Sequence, residues 1–250
     1  MQDALPIFVG YETREHAAAL VCEHSLRRRS SAPLLIQRLH EPSLRHVGLY
    51  TRTWTQDGGQ KTDAIDGKPF STAFSFSRWL TPTLMQHRGW ALFVDCDFLF
   101  LGDVAELFAE ADPRFAVQVV KHRMPEVAGI KMDGQAQQPY FRKNWSSAML
   151  VNCGHAANQR LTPTVVNSMS GQWLHGFSWL DDHEIGDLSP DWNWLAGVDA
   201  LRVTDPRAAH FTMGTPDMAG HENAPLAAHW WAELELAKRS HRDASRLAAA

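Results

Sequence analysis

The feature that most constrains this chain is the run Ala91-Leu92-Phe93-Val94-Asp95-Cys96-Asp97. A short apolar run that opens into polar residues reads as a buried central strand. In extended chain, residues two apart point to the same side. Asp95 and Asp97 therefore face one point, and Cys96 faces away. Two like charges this close raise one carboxyl pKa unless a cation neutralises them. Two hard oxygen donors at the carboxyl end of a buried strand suit a divalent cation bound together with a diphosphate. That edge of an open α/β sheet is also where ligands bind. A pair of solvated or helix-capping carboxylates is the plain alternative.

The flanking sequence supplies a sheet for that strand to sit in. Leu5 to Val9 reads as a short buried strand ended by Gly10, and Leu34 to Ile36 as a second strand. Between them, Arg14 to Arg29 reads as a helix with Ala18, Val21, Cys22 and Ser25 on one face. A strand–helix–strand opening starts a parallel α/β sheet. The polar, Gly-containing stretch from Gln56 to Lys68 reads as a loop, and Phe70 to His87 as a helix interrupted at Pro82. Asp103 begins another helix, with Glu106 at capping-box spacing. Phe115 to Val120 and Ala148 to Val151 read as strands, Gly129 to Gln138 as a loop, and Thr162 to Ser170 as a helix. The tail from Ala227 to Ala250 is helical by propensity.

Composition narrows the function classes. With 250 residues, 44% of them hydrophobic, the chain has enough apolar surface for one sizeable core. Lys and Arg number 24 against 28 Asp and Glu, for a net charge of −4, which leaves no nucleic-acid footprint. Cys22, Cys96 and Cys153 are far apart and form no Cys-x-x-Cys pair, which argues against a zinc ribbon or a redox motif. A reducing compartment suits them. No signal peptide and no transmembrane stretch of ~20 apolar residues is visible, so the expected location is cytoplasmic, with peripheral attachment at the inner membrane surface left open. The segment His229 to Leu234 mixes with acids and bases, which favours a packed or partner-binding helix over a membrane-surface one. Trp173, Trp179, Trp192 and Trp194, among ten Trp, have polar neighbours suited to a cleft rim; for most of the ten a core position is the simpler expectation.

An Asp-x-Asp after an apolar strand also occurs in haloacid-dehalogenase-type phosphatases. Their motif lies near the N-terminus and runs on into a Gly and a Thr or Val. Here it starts at Asp95 and continues into Phe98-Leu99-Phe100, against a phosphatase.

The segment Phe93 to Phe108 resembles the metal-binding segment of glycosyltransferase family 8, and five other segments agree in order. Ile7 to Thr13 resembles the nucleotide-binding first strand and loop, which implies donor contacts for Gly10, Tyr11 and Thr13. Phe74 to Pro82 resembles the helix whose Arg, here Arg78, contacts the donor. Asn144 to Asn152 resembles the strand under the donor sugar, which implicates Ser146 and Ser147. Leu180 to Ile185 sits where the family has an Asp-Gln-Asp segment, which makes Asp181 and Asp182 the catalytic candidates. Ala209 to Gly214 resembles the late loop that supplies His210 as third metal ligand beside Asp95 and Asp97. There are departures. Asp182 replaces the Gln, Trp145 and Ser146 replace a small-residue turn, and Pro216-Asp217 stands where many members carry Lys-Pro-Trp.

The resemblance implies an α/β GT-A fold, with a Rossmann-like, mixed, mostly parallel sheet flanked by helices. The expected division is a nucleotide-sugar transferase domain over residues 1–226 and a helical tail over 227–250. The implied activity is a manganese- or magnesium-dependent hexosyl transfer, with retention, from a nucleoside diphosphate sugar, UDP-linked, to an acceptor hydroxyl. That acceptor is a glycan, a lipid-linked sugar or a protein. A nucleotidyltransferase and a non-catalytic sugar-nucleotide binding module are the alternatives.

Overall fold

The computed structural model describes residues 4–122, 142–198 and 203–242, with the backbone of 130–131, 135–136 and 243–248. In chain order, the first unit is β1 (Leu5–Tyr11), α1 (His16–Arg29), β2 (Leu34–His40) and α2 (Glu41–His46). A small antiparallel hairpin layer follows: β3 (Trp54–Asp57), β4 (Gln60–Asp63) and β5 (Pro69–Phe70). The middle of the chain gives α3 (Thr81–Leu84), β6 (Trp90–Val94), β7 (Phe98–Phe100), α4 (Val104–Ala109) and β8 (Val117–Val119). Then come β9 (Ile130–Lys131), β10 (Gln135–Ala136), β11 (Ala148–Asn152), α5 (Pro163–Ser168) and α6 (Gly171–His175). The last part holds β12 (Ile185–Asp187), β13 (Trp194–Leu195), β14 (Ala208–His210) and α7 (Ala227–Ala248).

The main sheet has the order β12-β8-β11-β6-β1-β2. Its pairings are parallel except at β11, which runs against both β6 and β8. This is the mixed, mostly parallel sheet expected. Its centre is completely buried: Ile7, Val9, Leu92, Phe93, Val94 and Leu150 are all shielded from solvent. Covering helices bury both faces, which is why these strands read as unbroken apolar runs without alternation.

Several boundaries differ from the sequence reading. The stretch 56–68 forms most of the β3–β4 hairpin; its residues are largely exposed, so no apolar period marks it. The stretch 70–87 is not one helix. It is a single 3-10 turn at Ser77–Leu80 followed by the four-residue α3, with Pro82 in the first turn of α3, where its missing N–H costs nothing. Asp103 does cap α4, accepting from Ala105 N, while Glu106 turns outward to pair with Arg207 and closes no capping box. Within 129–138 the described backbone forms the β9–β10 hairpin, and the remainder lies outside the described residues.

The second apolar cluster fixes the tail. Trp230 and Leu234 of α7 pack with Val21, Leu99 and Phe211. Glu233, also buried, meets His24 at 2.5 Å, Arg29 at 2.9 Å and Arg28 at 3.4 Å. The tail is therefore a packed helix against α1. Trp79, Trp179, Trp192 and Trp230 are core residues. No described helix is long and apolar enough to cross a membrane.

Candidate active site

The site begins where β6 ends. Val94 is the last ladder residue, and the next amide, Asp95 N, donates to Ser147 O at 2.8 Å. Because β11 opposes β6, the start of β11 lies beside the end of β6, so Ser146 and Ser147 arrive next to Asp95. The β7–β14 ladder places His210 opposite Phe98, and Phe211 N donates to Asp97 O at 2.9 Å. The His210 ring stacks on Phe98 with centroids 4.4 Å apart. Local pairing of three strands thus gathers Asp95, Asp97 and His210, and one ligand atom from each lies within 4.8 Å of the others.

The donor chemistry fits a divalent cation. Asn193 Nδ2 donates to Ser147 Oγ at 3.0 Å and to Asn144 O at 3.3 Å, so its Oδ1 is the acceptor facing His210 Nδ1 at 3.0 Å. His210 therefore donates its Nδ1 proton to Asn193 and turns Nε2 toward the Asp97 carboxylate, 3.4 Å away. Two acceptors facing each other need a cation or a proton between them. Two carboxylates and an imidazole are suitable ligands for one.

Arg78 closes one side. Its Nη1 lies 3.0 Å from Asp95 Oδ1 and donates to Ser146 O at 2.7 Å. Behind the carboxylates, Cys96 points into the core and its thiol donates to Glu15 Oε2 at 3.0 Å. Burial, then the charge of Asp97, pushes Glu15 up to about 7.

These groups open into a cavity of about 320 Å³. Arg78, Asp95, Asp97, Ser146, Ser147 and His210 form its inner wall. Lys68 to Thr72 of the hairpin layer, Ser170 to Gln172 and His175 form the outer wall. Asp66 ties the outer pieces together, accepting from Lys68 N at 3.0 Å and from Gly171 N at 2.9 Å.

Six of the expected site residues are thus brought together. Gly10, Tyr11 and Thr13 follow the same sheet edge at the end of β1 but do not line the cavity. Gly10 faces Phe74 so closely that a Cβ would sit 2.4 Å from the ring. The Tyr11 ring carries the Arg38 guanidinium at 4.7 Å, and its hydroxyl meets His16 Nδ1 at 3.1 Å. Asp181 and Asp182 are placed elsewhere. They open a one-turn 3-10 helix on the surface, Asp182 ion-pairs with Arg142, and neither lines the cavity. Both acids are exposed on this turn, between the buried Leu180 and Ile185. Asn193, His175 and Lys68 were not singled out from the sequence. Asn193 had a signal, a polar residue between two Trp, whereas tertiary packing alone brings in the other two.

No family model matches the sequence. The chain is 43% identical over 233 residues to Protein CDI of Arabidopsis thaliana, covering 92% of this chain and 85% of that protein. The chain belongs to the Protein CDI family. Among solved structures, this family member is similar to the bifunctional glycosyltransferase WbbM (TM-score 0.61, 11% identity), over 94% of this chain and 50% of that one. It is also similar to the glycosyltransferase GlyE of Streptococcus pneumoniae (TM-score 0.56, 15% identity), over 98% of this chain and 64% of that one. The galactosyltransferase LgtC, solved with donor and acceptor sugar analogs, matches over 92% of this chain and 95% of its own (TM-score 0.54, 10% identity). The chain thus spans about half of WbbM and just under two thirds of GlyE. These likenesses show the fold, which is that of GT-A glycosyltransferases.

Proposed function

We propose that this chain is a metal-dependent glycosyltransferase of the family 8 type. It moves a hexose from a UDP-linked donor to an acceptor hydroxyl on a glycan, a lipid-linked sugar or a protein, with retention. The observation that carries this reading is the convergence of Asp95, Asp97 and His210 on one point of the cavity wall, at the strand end where a diphosphate is expected. Asp95, Asp97 and His210 would hold the cation, manganese being suited to the mixed oxygen and nitrogen set. When bound, the cation supplies charge neutralisation for the diphosphate leaving group. Arg78, held by Asp95 and Ser146 O, directs a fixed guanidinium into the same cavity, where it offsets phosphate charge. Ser146 and Ser147 offer hydroxyls for donor contacts, and Gly10, Tyr11 and Thr13 form the neighbouring edge toward which the nucleoside extends. Asp181 and Asp182 take no part in this arrangement.

The test is a panel of sugar nucleotides with manganese, followed by release of nucleoside diphosphate. Sustained release that stops with chelator supports the reading. Release of pyrophosphate would instead indicate a nucleotidyltransferase, and saturable binding without turnover a binding module.

A further inference from the structure

Asn193 is fully buried at the end of a one-turn 3-10 helix, Pro190–Asn193, and immediately precedes β13. The parallel β13–β14 ladder sets Trp194 opposite Ala209 and Leu195 opposite His210, which brings Asn193 beside the His210 ring. Four hydrogen bonds run from that ring to the turn before β11. Ser147 Oγ donates to Asn144 O at 2.7 Å. Asn193 Nδ2 donates to Ser147 Oγ at 3.0 Å and to Asn144 O at 3.3 Å. Asn193 Oδ1 meets His210 Nδ1 at 3.0 Å. One atom fixes the sense of all four. The Asn144 carbonyl oxygen can only accept, so the Ser147 proton is spent on it and Ser147 Oγ faces Asn193 as an acceptor. Turning the Asn193 amide over would set Oδ1 against the Asn144 oxygen and against a hydroxyl with no proton left. Nδ2 therefore keeps that side, and Oδ1 facing His210 admits only an Nδ1–H. The stack on Phe98 fixes the plane of the imidazole. A half-turn of the ring about Cβ–Cγ keeps that stack but exchanges Nδ1 for Cδ2 and Nε2 for Cε1. The stack does not tell the two orientations apart; the Asn193 hydrogen bond does.

We propose that Asn193 is a positioning residue that carries the acceptor polarity of the Asn144 carbonyl to His210 and so selects Nε2 as the metal-binding nitrogen. Ser147 is a link in that relay. Its one proton is committed, so it meets a ligand in the cavity only as an acceptor. Asn144 stands in left-handed backbone, φ 65°, at the turn into β11, and its carbonyl is the fixed end of the chain. The turn beside the donor site and the late metal ligand are thereby joined through one buried amide. The part played toward a cation rests on the transferase reading, whereas the direction of the hydrogen bonds does not.

Manganese uptake, read from the free-ion electron paramagnetic resonance signal with UDP present and UDP alone as the blank, tests the role. Asn193→Leu keeps the volume but removes the acceptor, and should bind manganese about 10- to 100-fold more weakly than wild type. Asn193→Asp keeps an acceptor for the Nδ1–H but sets a second oxygen against Asn144 O. It should melt at a lower temperature while holding manganese within about 5-fold of wild type. Ser147→Ala leaves Nδ2 bonded to Asn144 O and should stay within about 3-fold. Nitrogen-15 spectra of the metal-free protein, with the His210 signals assigned by their loss in His210→Gln, should show a proton on Nδ1. A bare Nδ1 overturns the inference, and so does a folded Asn193→Leu variant that binds manganese like wild type. A loss of about 10-fold or more in Asn193→Asp, in step with its melting temperature, marks a merely structural amide and also overturns it. Where Asn193→Leu does not fold, the Asn193→Asp titration and the spectrum decide. If wild type takes up no manganese beyond the blank, the metal reading itself fails and this one falls with it.

Discussion

The most informative contact is the 3.4 Å approach of His210 Nε2 to Asp97 Oδ2. The Asn193 hydrogen bond turns Nε2 of the imidazole toward a carboxylate, an arrangement suited to a cation. Asp97→Asn should lower metal-dependent donor turnover by ~100-fold or more while leaving the melting temperature near wild type. Manganese titration of the folded variant checks it. By contrast, Asp181→Asn and Asp182→Asn should each keep turnover within about 2-fold of wild type, since both side chains are exposed and the Asp182 ion pair with Arg142 is a surface one. A loss of turnover number in either, at unchanged UDP affinity, would return that acid to the reaction centre. His175 gives a pH signature of its own. Its folded pKa lies near 3 and the ordinary value near 6.5, so its contribution to stability is complete above 6.5 and is lost as pH falls toward 3. At pH 5 the loss is already about 2 kcal/mol, set almost wholly by protonation of the unfolded chain. Denaturant melts of metal-free protein between pH 7.5 and 5 should therefore fall less steeply for His175→Asn than for wild type.

Among the elements, the β3–β4–β5 layer is the one whose support is least obvious from outside. It is tied down from beneath by Arg52 and Asp63, two fully buried side chains in a bidentate pair at 2.7 and 2.6 Å. The remaining guanidinium nitrogen reaches Met169 O at 2.7 Å and Val166 O at 3.1 Å, at the far end of α5. The outer cavity wall is thereby clamped to the body of the molecule. Arg52→Met leaves Asp63 buried without its cation and should cost about 3–5 kcal/mol, recovered in part by adding Asp63→Leu. Urea unfolding of the single and double variants measures this. Nothing local in the sequence announced the layer. Its strands are short, and the inward positions of β4 are the ion-paired Lys61 and Asp63, so polar residues fill both alternations and the stretch reads as a loop. Strand β6 was legible for the opposite reason, because burial on both faces demands an unbroken apolar run. Asp95 and Asp97 were legible because their spacing is itself the chemistry. The stretch 70–87 misled because Phe74, Phe76, Trp79 and Leu80 are all buried, as a helix face would require, yet they pack around single turns.

Across the whole molecule, α7 closes a core that the sheet alone leaves open. Trp230 and Leu234 cover Val21 and Leu99, and Glu233 is held against His24, Arg28 and Arg29 of α1. Glu233→Ala should lower stability by about 2 kcal/mol, because it strands three basic side chains beside an apolar seam. Calorimetric melts at matched pH would show it, with donor affinity of the folded variant preserved. The tail was legible as a packed or partner-binding helix; which element it packs on was not, since His24 and Arg29 of α1 lie some two hundred residues away.

The reversed direction of β11 has a further consequence. Strand β8 runs with the parallel set and ends at the cavity edge, and β11 starts at that same edge. The connection from Val119 to Ala148 therefore has both of its ends at one edge of the sheet. Its length is free of the register that holds the strands together. A change of length in that connection should therefore leave the pairing of β8, β11 and β6 intact, so this family has a place where sequence can be gained or lost without reopening the folding problem.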